Sequence, residues 1–498
     1  MSIVHNFPFF SILLCMAAGI FTSMFKQKLA KWVTFSVVFA VFTLSAFTLA
    51  LTLRLDASYP FMMGHFPAPW GNEIRIGRLE ALMATGFSGV LLLALIAGFH
   101  HSPSFVSEQK TNLYCIMVDL ALAAILALIY TNDLFTVYVF IEIMTIASCA
   151  LVVVRQNGHT LVAITRYMIM HLLGSGLLLL GISMLYGITG HLLMQPLNQA
   201  VRQIVQTGNY TGPLTVVIAL ITSALAIKSA MFPFHVWAPD TYAFAPPLSS
   251  AILSGLISKA YIFVLIKFFY RVIGMDVIIS QNISQFLFIC GSSGMILGSV
   301  FAISQRDIRK MIAYSSVAQI GYVYMGLGMG SNAGTEAALF QMLVHAVVKS
   351  VLFLATYELI NVSGDRKRFH YLHGAGYRNV VAGIVFTVAS LSMVGFPFTG
   401  GFIVKLNLAV SGMAYGGWMR AFVLVALAVS TLLNAVYFLH TVVSIYRRPS
   451  QDIVYPSVVK SPWYAMAAMT VSAVVILYLG VGSQPILDII KEGLKTLI

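Results

Sequence analysis

Leu225-Ala226-Ile227-Lys228-Ser229-Ala230-Met231-Phe232-Pro233-Phe234 decides the fold. A lysine stands in an apolar run that a proline then interrupts. A cation at bilayer depth costs roughly 2.5–3.5 kcal/mol even on lenient insertion scales. Proline removes a backbone donor and clashes with the preceding turn. In lipid, broken backbone is tolerated only where protein or a wet cavity satisfies it. The same combination returns in Gly395-Phe396-Pro397-Phe398-Thr399-Gly400-Gly401-Phe402-Ile403-Val404-Lys405. Paired interrupted helices in two halves of a chain predict internal repeats with polar sites at the breaks, here Pro233 and Pro397.

The surrounding composition agrees. Of 498 residues, 59% are hydrophobic and 9% charged, against about 25% charged in a soluble chain. The reading is an all-α integral membrane protein in the lipid bilayer. The net charge of +13 does not indicate a nucleic-acid partner, because the basic residues are scattered rather than clustered. Cys15, Cys115, Cys149 and Cys290 lie in different apolar segments without a Cys-x-x-Cys, so no iron–sulfur or zinc site is expected from them. Met1–Pro8 lacks a basic n-region, and the first segment reads as a retained helix rather than a signal peptide.

Charge-bearing breaks divide the chain into about 14 spans, approximately 9–25, 32–53, 81–99, 112–130, 134–154, 162–187, 213–235, 247–268, 283–304, 308–330, 337–360, 380–411, 421–446 and 462–484. The interrupted ones are the seventh and twelfth. Four regions follow: 1–111 with three helices, 112–270 as a first repeat, 271–446 as a second, and 447–498 with the last helix and a short tail. Five helices per repeat make the repeats inverted. The loops near 54–80 and 188–212 have room for a hairpin or a surface helix. Connections on one side carry 16 of the 29 basic residues, including Arg306, Arg309, Lys310 and Lys460; those on the other carry 9, among them Lys267 and Arg271. The positive-inside rule then puts both termini outside the cell membrane.

Besides Lys228 and Lys405, lysines stand alone in apolar surroundings at 259 and 349, and Glu142 lies about two turns into the fifth span. A carboxylate beside Lys228 raises its proton affinity and desolvation lowers it, so breaking the pair would release a proton. His345 and Lys349 share one helical face at i and i+4, a spacing suited to passing a proton through water. Glu142, Lys228, Lys259, His345, Lys349 and Lys405 therefore form a candidate proton or ion relay. Asp119 and His235 are further candidates. Glu358 reads as interfacial, and Asp133 as an N-terminal residue favoured by the helix dipole.

These motifs resemble the antiporter-like subunits of respiratory complex I, Mrp-type sodium/proton antiporters and membrane-bound hydrogenases. The resemblance covers roughly residues 75–480. It rests on Asn132–Glu142, on Ile227–Lys259 with Phe234-His235-Val236-Trp237-Ala238-Pro239, on Gln305–Gly321, on His345–Lys349 and on Gly395–Lys405. Pro67-Ala68-Pro69-Trp70-Gly71 and Tyr242–Pro247 are most similar to the Mrp D-type branch. The resemblance implies that Glu142 pairs with Lys228, that Lys259 bridges toward the eleventh helix, and that Lys405 is the terminal acid/base. Departures include Thr136 where asparagine is usual and Phe396-Pro397-Phe398 where the family commonly has two prolines. The 14 residues after the last span are short for the lateral helix of complex I's longest such subunit.

The expected function is ion translocation, of protons or of sodium against protons, within a multisubunit complex. Its partners would be other membrane subunits and, in a redox-driven complex, a peripheral hydrogenase- or dehydrogenase-like module. No cofactor or metal is expected in this chain. The alternatives are a proton-pumping subunit of a complex I-like quinone oxidoreductase and a non-conducting structural homologue.

Overall fold

The computed structural model describes residues 3–55, 57–63, 66, 72–415, 417–448 and 461–497. The Pro67–Gly71 stretch and Lys460 lie outside the described residues. The membrane-length helices and half-helices are α1 (Phe7–Phe21), α2 (Gln27–Leu55), α3 (Arg78–Gly98), α4 (Thr111–Tyr130), α5 (Leu134–Val153), α6 (Gly158–Thr189), α7 (Thr211–Lys228), α8 (Pro247–Ile273), α9 (Ile283–Ile303), α10 (Ile308–Gly328), α11 (Asn332–Asn361), α12 (Val380–Val394), α13 (Gly400–Met413), α14 (Gly417–Tyr446) and α15 (Trp463–Val481).

Among the described residues, 12 helices are long and apolar enough to cross a membrane, or 13 if Phe369–Arg378 and α12, bent by 115°, form one span. The expected 14 differ from this chiefly at α10. That helix has 21 residues, but Ser315, Ser316, Gln319, Tyr322 and Tyr324 make it too polar to count by composition. Protein rather than lipid covers it, and all five side chains are buried.

Both proline motifs interrupt their helices. α7 stops at Lys228, Ala230 adopts a φ of 63°, and the chain resumes as a short helix over Ala238–Phe244. The indole of Trp237 donates to the Ile227 carbonyl at 3.0 Å, satisfying an acceptor near the break. The second gap separates α12 from α13. Gly395 and Phe398 have φ of 87° and 68°, and the Gly401 N–H donates to Ser392 Oγ at 3.3 Å.

The two long loops hold a hairpin and a surface helix. β1 (Tyr59–Met62) pairs antiparallel with β2 (Glu73–Ile76), with Tyr59 opposite Ile76. Met194–Thr207 is an amphipathic helix whose Met194, Leu197, Val201 and Ile204 are buried. A second amphipathic helix, Gln484–Lys495, lies against α3, with Gly493 close to Leu79.

One sequence expectation is corrected. Lys267 and Arg271 are not loop residues: α8 continues to Ile273 through a π turn at Phe268–Ile273, and both side chains are buried. Lys267 donates to the carbonyls of Leu128 (3.2 Å), Ile129 (3.0 Å) and Thr131 at the end of α4. Arg271 pairs with buried Glu80 of α3. Arg309, counted on the other side, is likewise buried, in α10.

Candidate functional site

The first polar centre lies where α5, α6 and α7 meet. Asp133 caps α5, its carboxylate accepting the Thr136 N–H at 2.6 Å. Further along that helix is Glu142, whose side chain is 26% exposed, while Lys228 is fully buried. Their charged atoms are 3.4 Å apart, and Ser175 of α6 lies between them. Its hydroxyl donates to Glu142 and accepts from Lys228 Nζ at 2.8 Å. Thr145 accepts from the same amine at 3.2 Å. Gly174 allows the close approach, since a Cβ there would be 3.2 Å from Lys228 Cγ.

The second centre lies between α8, α10 and α11. α8 contains a π turn at Leu253–Ile257, and Lys259 donates to the Ser254 carbonyl within it. Wide turns of this kind leave backbone acceptors out of the regular ladder and recur at functional sites. His345 and Lys349 are fully buried on α11 and close enough to Lys259 to interact electrostatically. Lys349 donates to the Ile312 carbonyl at 3.0 Å and to Ser315 Oγ. Neither ring nitrogen of His345 has a hydrogen-bond partner among the described residues.

The third centre lies at the second break. Lys405, on α13, reaches back to the Val394 carbonyl that ends α12, and its amine is 5.5 Å from the centre of the Tyr322 ring. The negative end of a helix dipole favours a cation there. Tyr322 donates to Ser430 at 2.9 Å and accepts from Asn434 at 3.2 Å; Asn434 in turn accepts from Tyr437, which lies against Ser315.

One helix touches all three centres. From α10, Tyr324 meets Ser229 at the first break (2.6 Å) and Ser316 meets Ser254 beside Lys259 (2.9 Å). Ser315 holds Lys349, and Tyr322 underlies Lys405. Sequence reasoning marked Gln305–Gly321 as a family motif but assigned none of these side chains a role. Their signal was the excess of hydroxyl groups in a membrane-length segment. His171 was also passed over. It is fully buried between Tyr167 (3.9 Å), Trp237 (4.7 Å) and Tyr261 (5.9 Å), and a lone histidine in an apolar segment carries no sequence signal.

The two further candidates stand apart. Asp119 is buried against α2, accepting from Thr34 Oγ1 at 2.9 Å, and makes no ion pair among the described residues. His235 lies in the first break, between Phe232 (5.2 Å) and Phe301 (6.0 Å).

The partners decide what the lysines can do. Of the four lysines in the series, only Lys228 has a carboxylate among the described residues; Lys259, Lys349 and Lys405 have carbonyl and hydroxyl oxygens. A carboxylate locks an amine in its charged form. A carbonyl accepts a hydrogen bond from either an ammonium or a neutral amine, so a proton can come or go without stranding the acceptor.

Residues 131–448 match the family described as NADH:quinone oxidoreductase/Mrp antiporter, transmembrane. A NADH-quinone oxidoreductase subunit N from Desulforudis audaxviator is 32% identical over 410 residues, covering 82% of this chain and 79% of that protein. A putative antiporter subunit mnhD2 from Staphylococcus epidermidis is 28% identical over 430 residues, covering 86% and 83%. The fold is that of a chain in the Mrp complex from Dietzia sp. (TM-score 0.86, 22% identity, 100% and 98% coverage). A chain of the archaeal membrane-bound sulfane sulfur reductase is equally similar in fold (TM-score 0.86, 23% identity, 100% and 98% coverage). With the sequence match spanning both broken helices and all three polar centres, the chain belongs to the NADH:quinone oxidoreductase/Mrp antiporter transmembrane family.

Proposed function

We propose that this antiporter-like membrane subunit translocates protons, or exchanges sodium for protons, along Glu142, Lys228, Lys259, His345, Lys349 and Lys405. The observation that carries the reading is the change of partner along this series: one lysine held by a carboxylate, then three held by neutral oxygens. A proton reaching Glu142 would weaken its hold on Lys228 and favour loss of a proton from that amine. Lys259, His345 and Lys349 would receive it through internal water. Lys405, at the broken end of α12, would release it or take one up. Like charges at successive buried sites disfavour one another, so each transfer would bias the next.

The same reading makes 112–270 and 271–446 inverted repeats whose breaks at Pro233 and Pro397 hold the outer lysines, with 1–111 and 447–498 flanking them. It places both termini outside, following the basic residues. Partners would be other membrane subunits of an Mrp-type antiporter or membrane-bound hydrogenase-type complex. In the redox-driven case a peripheral hydrogenase- or dehydrogenase-like module would supply the energy. Replacing Lys228 or Lys405 by alanine in the assembled complex should abolish ion movement into sealed vesicles; undiminished transport in both variants would overturn the relay. Glu142→Gln should impair transport far more than Asp119→Asn, and the opposite order would place the uptake site at Asp119.

The 32% identity to a subunit N favours a second reading, a proton-pumping subunit of a complex I-like quinone oxidoreductase. Purifying the complex decides between them. Flavin- and quinone-site partners would support this second reading, and small membrane subunits alone would support the antiporter.

A further inference from the structure

Away from the lysine series, three potential ligands converge at one end of the helix bundle. His100 and His101 follow the last turn of α3, and Glu358 lies near the end of α11. Nε2 of His100 is 3.2 Å and Nε2 of His101 is 2.8 Å from the same oxygen, Glu358 Oε1. One ligand atom from each residue fits within a span of 4.8 Å. Neighbouring ligands around a tetrahedral ion with bonds of about 2.0–2.1 Å stand about 3.3 Å apart. Small shifts of these side chains would therefore admit an ion.

The chemistry of the cluster suits one. Glu358 is buried, with 1% of its side chain exposed, and among the described residues the two histidines are its only ion-pair partners. Their ring centres are 3.6 Å apart, too close for both to carry a charge comfortably. One divalent cation lets both rings stay neutral, binding through Nε2 with the proton on Nδ1, and the carboxylate offsets half of its charge. The Ser461 hydroxyl donates to the other carboxylate oxygen, Oε2, which fixes the group with Oε1 turned toward both histidines; such outer hydrogen bonds commonly orient metal-binding carboxylates. His100 is 13% exposed, which leaves an approach for the ion from outside.

We propose that His100, His101 and Glu358 form a site for a borderline divalent cation, of which Zn²⁺ is the best match. Two imidazoles and a carboxylate suit zinc, leaving a fourth position for water. Magnesium and calcium prefer all-oxygen ligands. The site clips α3 to α11 and, through Ser461, to the start of α15. It is independent of the ion relay, since none of its three ligands belongs to the lysine series.

The test is metal analysis of the intact complex purified from zinc-supplemented cells. About one zinc per chain is expected in the wild type, falling to background in His101→Gln and Glu358→Gln. Should a variant fail to assemble, the wild-type complex alone decides. After chelation, added Co²⁺ should give the intense visible bands of a four-coordinate ion, and zinc should compete them away. Chelation should also lower the thermal midpoint, and zinc should restore it. Zinc retained in both variants, or a chelated wild type that gives no cobalt bands, would overturn the site.

Discussion

At the residue scale, the Ser175 hydroxyl between Glu142 and Lys228 makes the pair adjustable. Ser175→Ala removes hydrogen bonds to two charged groups, each worth about 1.5–3 kcal/mol, yet keeps both charges and their direct 3.4 Å contact, which offsets part of the loss. Vesicle transport should slow by roughly tenfold in that variant while Glu142→Gln nearly abolishes it, since stranding a buried charge costs about 3–5 kcal/mol. Equal losses would mean that Ser175 is as essential as the carboxylate. Lys267 illustrates a different use of the same residue type. Lys267→Met unpairs three carbonyls at the end of α4, each costing about 1–3 kcal/mol. It should lower the thermal midpoint of the complex sharply, whereas Lys259→Met should leave it little changed. Lys228, Lys259, Lys349 and Lys405 were legible because each interrupts a long apolar run. Lys267 was not, because Lys267 and Arg271 mimic the charged end of a helix.

At the element scale, α9 and α10 lie so close that backbone meets backbone. A Cβ on Gly291 would be 2.7 Å from Tyr324 C and 2.9 Å from Gly321 O, with Gly298 and Gly328 in similar straits along the seam. Small residues let membrane helices approach in this way. Gly291→Ala should therefore destabilise the subunit by about 1–3 kcal/mol and, by pushing α10 away, disturb Tyr322 and Ser315 together. Detergent-solubilised yield and transport should fall in parallel; a fully active, normally assembled variant would contradict this packing. Both helix breaks could be read from Phe232-Pro233-Phe234 and Phe396-Pro397-Phe398, since proline forbids the regular ladder. The hub role of α10 was not legible. Its hydroxyl groups look the same in sequence whether they face a loop, a lipid headgroup or a buried amine.

At the scale of the whole molecule, orientation and partnership are open to direct measurement. The four native cysteines are buried or partly buried, so a cysteine placed at Thr496 beyond the amphipathic tail helix should dominate labelling. If both termini face outward, a membrane-impermeant maleimide should label it in intact cells. Labelling only after the cells are opened would reverse the topology. Composition revealed the membrane class from sequence alone, and the basic residues set an expected orientation, because both depend on sums over many residues. The convergence of His100 and His101 with Glu358 depends on chain segments 258 and 257 residues apart and left no local trace. The carbonyl partners of Lys259, Lys349 and Lys405 have a consequence for descent. A lysine facing a carboxylate cannot be lost without leaving an unbalanced charge behind, whereas one facing a carbonyl leaves only a tolerable acceptor. A lineage could discard these three amines one at a time and keep its shape, so the ability to conduct can fade from such a subunit long before its architecture does.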